Sequence, residues 1–117
     1  MKYPRLFSPI NIGSCTLQPN RVMMTAAVTR LAGEDGDVTQ QIIDRYQRIA
    51  MGGVGAIVVE AAVVLSSRSS FNLRISDDSF ISQLRNLVRA IKGVRGKDRH
   101  SAYALPQAFQ KGMETEG

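Results

Sequence analysis

The sequence predicts an α/β fold with parallel strands, and three observations carry that reading. An apolar, β-branched run, Ala56-Ile57-Val58-Val59, lies directly behind an amphipathic helical pattern, the order of an αβ joint. The joint itself is Gly52-Gly53-Val54-Gly55, and glycine suits a helix C-terminus because it enters the left-handed region without a Cβ clash. The run is apolar on both sides of the chain, as a parallel strand covered on both faces requires. These glycines are no nucleotide fingerprint. A phosphate-cradling loop follows a strand and opens a helix, and this one does the reverse.

The elements follow in order. Residues 1–20 hold three prolines and short polar-apolar alternations, which predict an extended segment or small hairpin. Residues 22–27 read as a short strand, apolar but for Thr25. Residues 31–38, with Gly33, Asp35, Gly36 and Asp37, read as a turn. Asp37 and Gln40 form an Asp-x-x-Gln capping pattern. The helix after it places Ile42, Ile43, Tyr46, Ile49 and Ala50 on one face. Beyond the strand, residues 61–75 read as a Ser-rich loop with Arg68, Asn72 and Arg74. Ser76-Asp77-Asp78 then offers a cap and helix-start acids. The second helix is expected to turn Ile81, Leu84, Leu87, Val88 and Ile91 inward and Arg85, Arg89 and Lys92 outward, ending at Gly93 and Gly96. A third strand should follow at once, yet residues 97–106 show no buried-strand pattern and residues 107–117 show no strong pattern.

Composition narrows the function classes. A chain of 117 residues can bury a core. No apolar run approaches the ~18 residues of a membrane span, and Met1-Lys2-Tyr3-Pro4-Arg5 has no signal-peptide apolar core. The single cysteine, Cys15, cannot close an internal disulfide, so a reducing cytoplasm and a bystander thiol are expected. The net charge of +5 arises wholly within residues 1–96, which hold 12 basic and 7 acidic residues against 3 of each in residues 97–117. The basic residues are scattered singly, not striped with aromatics. A solvated surface is therefore expected, with neither nucleic acid nor membrane as partner.

Several motifs together resemble a known family. Phe7-Ser8-Pro9-Ile10-Asn11-Ile12-Gly13, Leu17 and Asn20-Arg21-Val22-Met23-Met24 resemble the opening of the old yellow enzyme, or NADH:flavin oxidoreductase, family. Tyr46, Ala50 and the run from Gly52 to Ala61 resemble that family's second barrel strand and its approach. Ser76-Asp77-Asp78 with Ile81, Leu84 and Leu87 is similar to the lead into its second helix. The resemblance covers about residues 6–96.

This resemblance implies the N-terminal portion of a (β/α)8 TIM barrel with FMN at the C-terminal ends of the strands, where active sites of this fold sit. It implies NAD(P)H as reductant, an activated alkene or similar small molecule as substrate, and hydride transfer through the flavin. By position, Thr25, Ala26, Ala27 and Val28 match the flavin-contacting end of the first strand. Ala61 matches the small residue after the second strand whose backbone approaches the ring. Small residues that merely fit a crowded barrel rim are the structural alternative. Val28 departs from members with Thr or Cys there, since its side chain has no hydrogen-bonding group. Arg68 matches a loop arginine, with a solvent-facing role as its alternative.

The family's third strand, substrate-binding histidine pair, proton donor and phosphate loops have no counterpart in this sequence. His100 is the only histidine, its surroundings do not match that pair, and no catalytic residue is carried over. The expected division is residues 1–96 as the N-terminal part of an FMN-binding barrel and residues 97–117 as a non-matching tail, frameshifted or disordered. Read one base later with permitted codons, the segment from Lys97 can begin Lys-Ile-Gly-Ile-Gln-Leu-Met-His-Phe, which resembles the missing third strand. The expected function is an oxidoreductase fragment, inactive alone and prone to self-association through open strand edges. The competing reading is a small autonomous α/β binding module without catalysis.

Overall fold

The structure, a computed structural model, describes residues 2–17, 20–65, 71–94 and 104–109. Near the N-terminus β1 (Ile10–Ile12) and β2 (Cys15–Leu17) form an antiparallel hairpin with Ile10 opposite Leu17. Gly13, at φ +60, makes its turn, and Thr16 donates its hydroxyl to Asn11 Oδ1 at 2.7 Å. The expected hairpin is present. Arg21, just before the sheet, donates its N–H to Leu6 O, ahead of the hairpin, at 3.0 Å.

The sheet begins with β3, which is only Met23–Met24, shorter than the strand read over residues 22–27. It pairs in parallel with β4 (Ala56–Val63), Met23 opposite Ala56 and Met24 opposite Ile57. Between them runs α1 (Gln40–Met51). After β4 come β5 (Leu73–Arg74), a 3-10 turn (Asp78–Phe80) and α2 (Ile81–Gly93). The order β-α-β-α with parallel, adjacent strands is the one the sequence predicts.

Two boundaries differ from expectation. The second strand extends to Val63, so Ala61 lies within it, and the Ser-rich loop contains a strand, since β5 pairs in parallel with Ala62 and Val63. A third strand does follow: β6 (Ala104–Phe109) runs parallel to β4 from Ile57 to Val63. An unpaired strand edge is a row of free donors and acceptors that an extended segment can satisfy. Pro106, which has no N–H to give, stands opposite Val59, beside the point where the register shifts. Ile57 pairs with both β3 and β6, and Ala62 with both β5 and β6. A strand has two edges, so β3 and β5 share one edge of β4 and β6 takes the other.

Both helices join the same core. Ile42, Tyr46 and Ala50 of α1 and Leu87 and Ile91 of α2 pack with Ile57, Val59, Ala62 and Leu73 of the sheet. Gln47 Nε2 of α1 donates to Ala90 O of α2 at 3.3 Å. The apolar faces are those read from helical spacing, with two exceptions, the first being Val88, which is half-buried and lies outside the core cluster. Ile81 is exposed and Phe80 is buried in its stead, because the 3-10 turn advances the chain before the α-helix starts. The N-cap of α1 is also not Asp37. Thr39 takes that place, its hydroxyl accepting from Ile42 N at 3.3 Å. Gln83 occupies Asp37 instead, donating to its carboxylate at 3.1 Å while accepting from Val38 N at 2.8 Å. That side-chain amide joins the starts of the two helices.

Candidate functional site

Glu60 is wholly buried in the middle of β4. Burial of a carboxylate is tolerated only where donors surround it, and three groups supply them. Thr29 N donates to Oε2 at 3.2 Å, and the Thr29 hydroxyl lies 2.9 Å from Oε1 and 3.1 Å from Oε2. The Tyr46 hydroxyl donates to Oε1 at 3.2 Å and accepts from Glu60 N at 2.9 Å. Burial, chiefly, pushes the Tyr46 hydroxyl well above its usual titration range, and the neighbouring Glu60 charge adds to the shift. One tyrosine from α1 therefore holds both the backbone and the side chain of Glu60.

The backbone explains why Glu60 can be held in this way. In the β4–β6 pairing Val59 faces Pro106 and Ala61 faces Gln107, so Glu60 is the extra residue of a bulge. A bulge leaves one residue out of the ladder and shifts the alternation of faces beyond it. Ile57 and Val59 face the helices and, after the bulge, so does Ala62. Ala61 thereby turns to the opposite face, where it is half-buried, as is Val58. Without the bulge, strict alternation would send Ala61 toward the helices.

Residues 25–28 run between two anchors on β4. Met24 is paired with Ile57, and Thr29 is bonded to Glu60. Thr25, Ala26, Ala27 and Val28 therefore cross the interval between the levels of Ile57 and Glu60, with no regular secondary structure. Thr25 and Ala27 are exposed, Ala26 is half-buried, and Val28 is 52% exposed. These four follow β3 directly, and Ala61 lies within the neighbouring parallel strand β4. Arg68 and His100 lie outside the described residues. A shallow pocket lined by Leu31, Gln41, Asp44, Arg45, Arg48 and Ile49 includes none of the five.

In the sequence Glu60 lies inside the run from Gly52 to Ala61 and was given no role of its own. The signal was present: an acid inside an apolar strand must find donors, and the core face of α1 offers a tyrosine hydroxyl. Thr29, beyond the expected strand, gave no such signal.

A parallel β-α-β-α unit with a face beyond its strand ends is the opening of a (β/α)8 barrel, incomplete and unclosed here. Residues 5–98 match the NADH:flavin oxidoreductase / NADH oxidase family, and the chain belongs to that family. It is 36% identical over 98 residues to an NADH oxidase of Thermoanaerobacter brockii, covering 81% of this chain and 15% of that protein. An NADPH dehydrogenase of Bacillus cytotoxicus is 32% identical over 114 residues, covering 96% of this chain and 31% of that protein. The fold matches that of an old yellow enzyme homologue from Zymomonas mobilis with a TM-score of 0.73 at 22% identity, over 92% of this chain and 28% of that one. The chain thus spans less than a third of these relatives. Among the described residues no helix is long and apolar enough to cross a membrane.

Proposed function

We propose that this chain supplies the opening portion of an FMN-dependent NAD(P)H:flavin oxidoreductase of the ene-reductase type, contributing flavin-facing strand ends and no catalysis of its own. The observation that carries this reading is that residues 25–28 run on from β3 beside β4, whose Ala61 turns away from the helices, within the family-matched region. Cofactor and substrate sites of barrel enzymes lie at that end. The residues present fit one side of a planar ring. Ala26, Ala27 and Ala61 are small enough for their backbone to approach it, while Val28 offers only apolar contact. FMN, when bound, would take a hydride from a reduced nicotinamide and pass it to a small activated alkene. On this reading residues 1–96 are the barrel portion and residues 97–117 depart from it, in a cytoplasmic protein.

A second reading, a small autonomous α/β binding module, is favoured by one observation: β6 occupies the free edge of β4. The two readings predict different outcomes of one experiment. The 117-residue chain should acquire no stoichiometric flavin absorbance when titrated with FMN, because one wall of a pocket lacks most of the preorganised contacts. A chimera in which residues 1–96 replace the corresponding part of the Bacillus cytotoxicus enzyme should bind FMN and bleach anaerobically with NADPH. Tight FMN binding by the short chain would overturn the fragment reading, and a colourless, folded chimera would overturn the flavin assignment. Sequencing the coding DNA past Gly96 tests the tail: a shifted frame that fails to open into further barrel sequence defeats the frameshift.

A further inference from the structure

We propose that Glu60 is a positioning residue, whose bulge-borne carboxylate sets the path of residues 25–28 against Ala61. The inference rests on the flavin reading for its purpose, but its geometry stands apart from any cofactor. Between the Met24–Ile57 pairing and Leu31, the hydrogen bonds that hold this segment to the rest of the described structure run through Thr29. Thr29 Oγ1 also accepts from Leu31 N at 3.2 Å, so the hydroxyl shapes the turn out of the segment as well. The carboxylate is in turn aimed by Tyr46, a residue of the helix layer with no exposed surface. A chain of contacts therefore runs from α1 through Tyr46 and Glu60 to Thr29. It ends one residue beyond Val28.

The bulge gives this device a second effect. The residue that leaves the ladder to bond Tyr46 through its N–H also sends Ala61 to the face away from the helices. One residue thus governs both sides of the proposed ring contact: Ala61 through the backbone and residues 25–28 through the side chain. A carboxylate suits the task better than an amide. It accepts at both oxygens, and charge-assisted bonds are shorter and stronger than neutral ones.

Amide hydrogen exchange on the 117-residue chain tests the clamp without flavin. In Glu60→Gln and in Thr29→Val the amides of Thr29 and Leu31 should exchange at least about tenfold faster, since each change removes charge-assisted bonds. Thr29→Ser, which keeps the hydroxyl, should stay near the parent rate, and Leu87 in α2 reports any change in global stability, which the increase at Thr29 and Leu31 should exceed. Unchanged exchange at Thr29 in both Glu60→Gln and Thr29→Val would overturn the proposal. In the chimera, Glu60→Gln and Thr29→Val should weaken FMN binding by about tenfold, the effect of a lost charged hydrogen bond, with Thr29→Ser retaining it. Equal FMN affinity in all three would overturn the positioning role. Failure of the unsubstituted chimera to bind FMN would instead sink the functional reading, and the exchange rates would still decide the clamp.

Discussion

The backbone carbonyl of Asn20 occupies the space that a side chain on Gly55 would need: a Cβ there would stand 2.2 Å from the oxygen. Gly55 N and Ala56 N both donate to Val22 O, at 2.8 and 3.2 Å, so the starts of β3 and β4 are held in close backbone contact. Neither partner is a flexible side chain that could step aside. Gly55→Ala should therefore destabilise the chain by about 1–3 kcal/mol, the range for overpacking a tight site. Gly93→Ala is the control. It sits in a helix with open space around it, and alanine there should stabilise by up to about 1 kcal/mol. Urea unfolding of the two variants reads both numbers, and a tolerated Gly55→Ala would contradict the close approach.

Asn20 completes the same joint with its side chain. Its Nδ2 donates to Gly53 O at 2.7 Å and its Oδ1 accepts from Val22 N at 3.0 Å. Asn20→Ala leaves both groups without these partners and should cost about 1–3 kcal/mol. Asn20→Asp keeps the acceptor for Val22 N but sets a carboxylate oxygen against Gly53 O at a buried position, so its unfolding midpoint should lie no higher than that of Asn20→Ala. An aspartate close to the parent would mean that the Gly53 contact contributes little.

The order of elements and the buried faces of both helices were legible because helical spacing and glycine punctuation are local signals. Ile42, Tyr46, Ala50, Leu87 and Ile91 fall where the pattern puts them. The bulge at Glu60 was not legible. In Ala56–Val63 nearly every residue is apolar, so alternation carries no phase that could reveal an extra residue. The cap at Thr39 was obscured for a tertiary reason, since Gln83 of a helix distant in sequence engages Asp37. For β5 and β6 the deciding factor is the exposed edge of β4. Edge pairing depends on what lies alongside, and a chain read one segment at a time cannot express it. Residues 25–28 and Ala61 were proposed through family resemblance, whereas the network of Glu60 follows from the chemistry of a buried acid.

Acid should loosen the turn that leads into α2. Asp77 caps the 3-10 turn, its Oδ1 accepting from Ser79 N at 2.8 Å and from the Ser79 hydroxyl. Those bonds, the hydroxyl's foremost, hold its carboxyl below the usual range. A depressed folded-state value means that the contribution is complete above the unfolded value of about 3.9 and disappears as pH falls through the folded one. The Ser79 amide resonance should titrate with a midpoint below that of a free aspartate, and Asp77→Asn should abolish the step. A midpoint at the ordinary value would show that the cap does not persist in solution.

Alkali should act through Tyr46. Its raised folded-state value has the opposite consequence: the stabilisation is complete below the unfolded value of about 10 and is lost as pH rises toward the folded one. Ionisation would place a phenolate beside the buried Glu60 carboxylate and remove the proton that Tyr46 donates to it. The parent chain should therefore lose stability above about pH 10, with a tyrosinate absorbance step that coincides with unfolding. Tyr46→Phe removes the donor to Glu60 and the acceptor for Glu60 N. It should cost about 2–3 kcal/mol at neutral pH, as expected for a charged hydrogen bond and a buried donor left unpaired, and should lack the coincident step. Urea midpoints at neutral and alkaline pH, with absorbance followed in parallel, distinguish these outcomes. Full ionisation of every tyrosine while the chain remains folded would show that Tyr46 is open to solvent and that its hydroxyl does not hold Glu60.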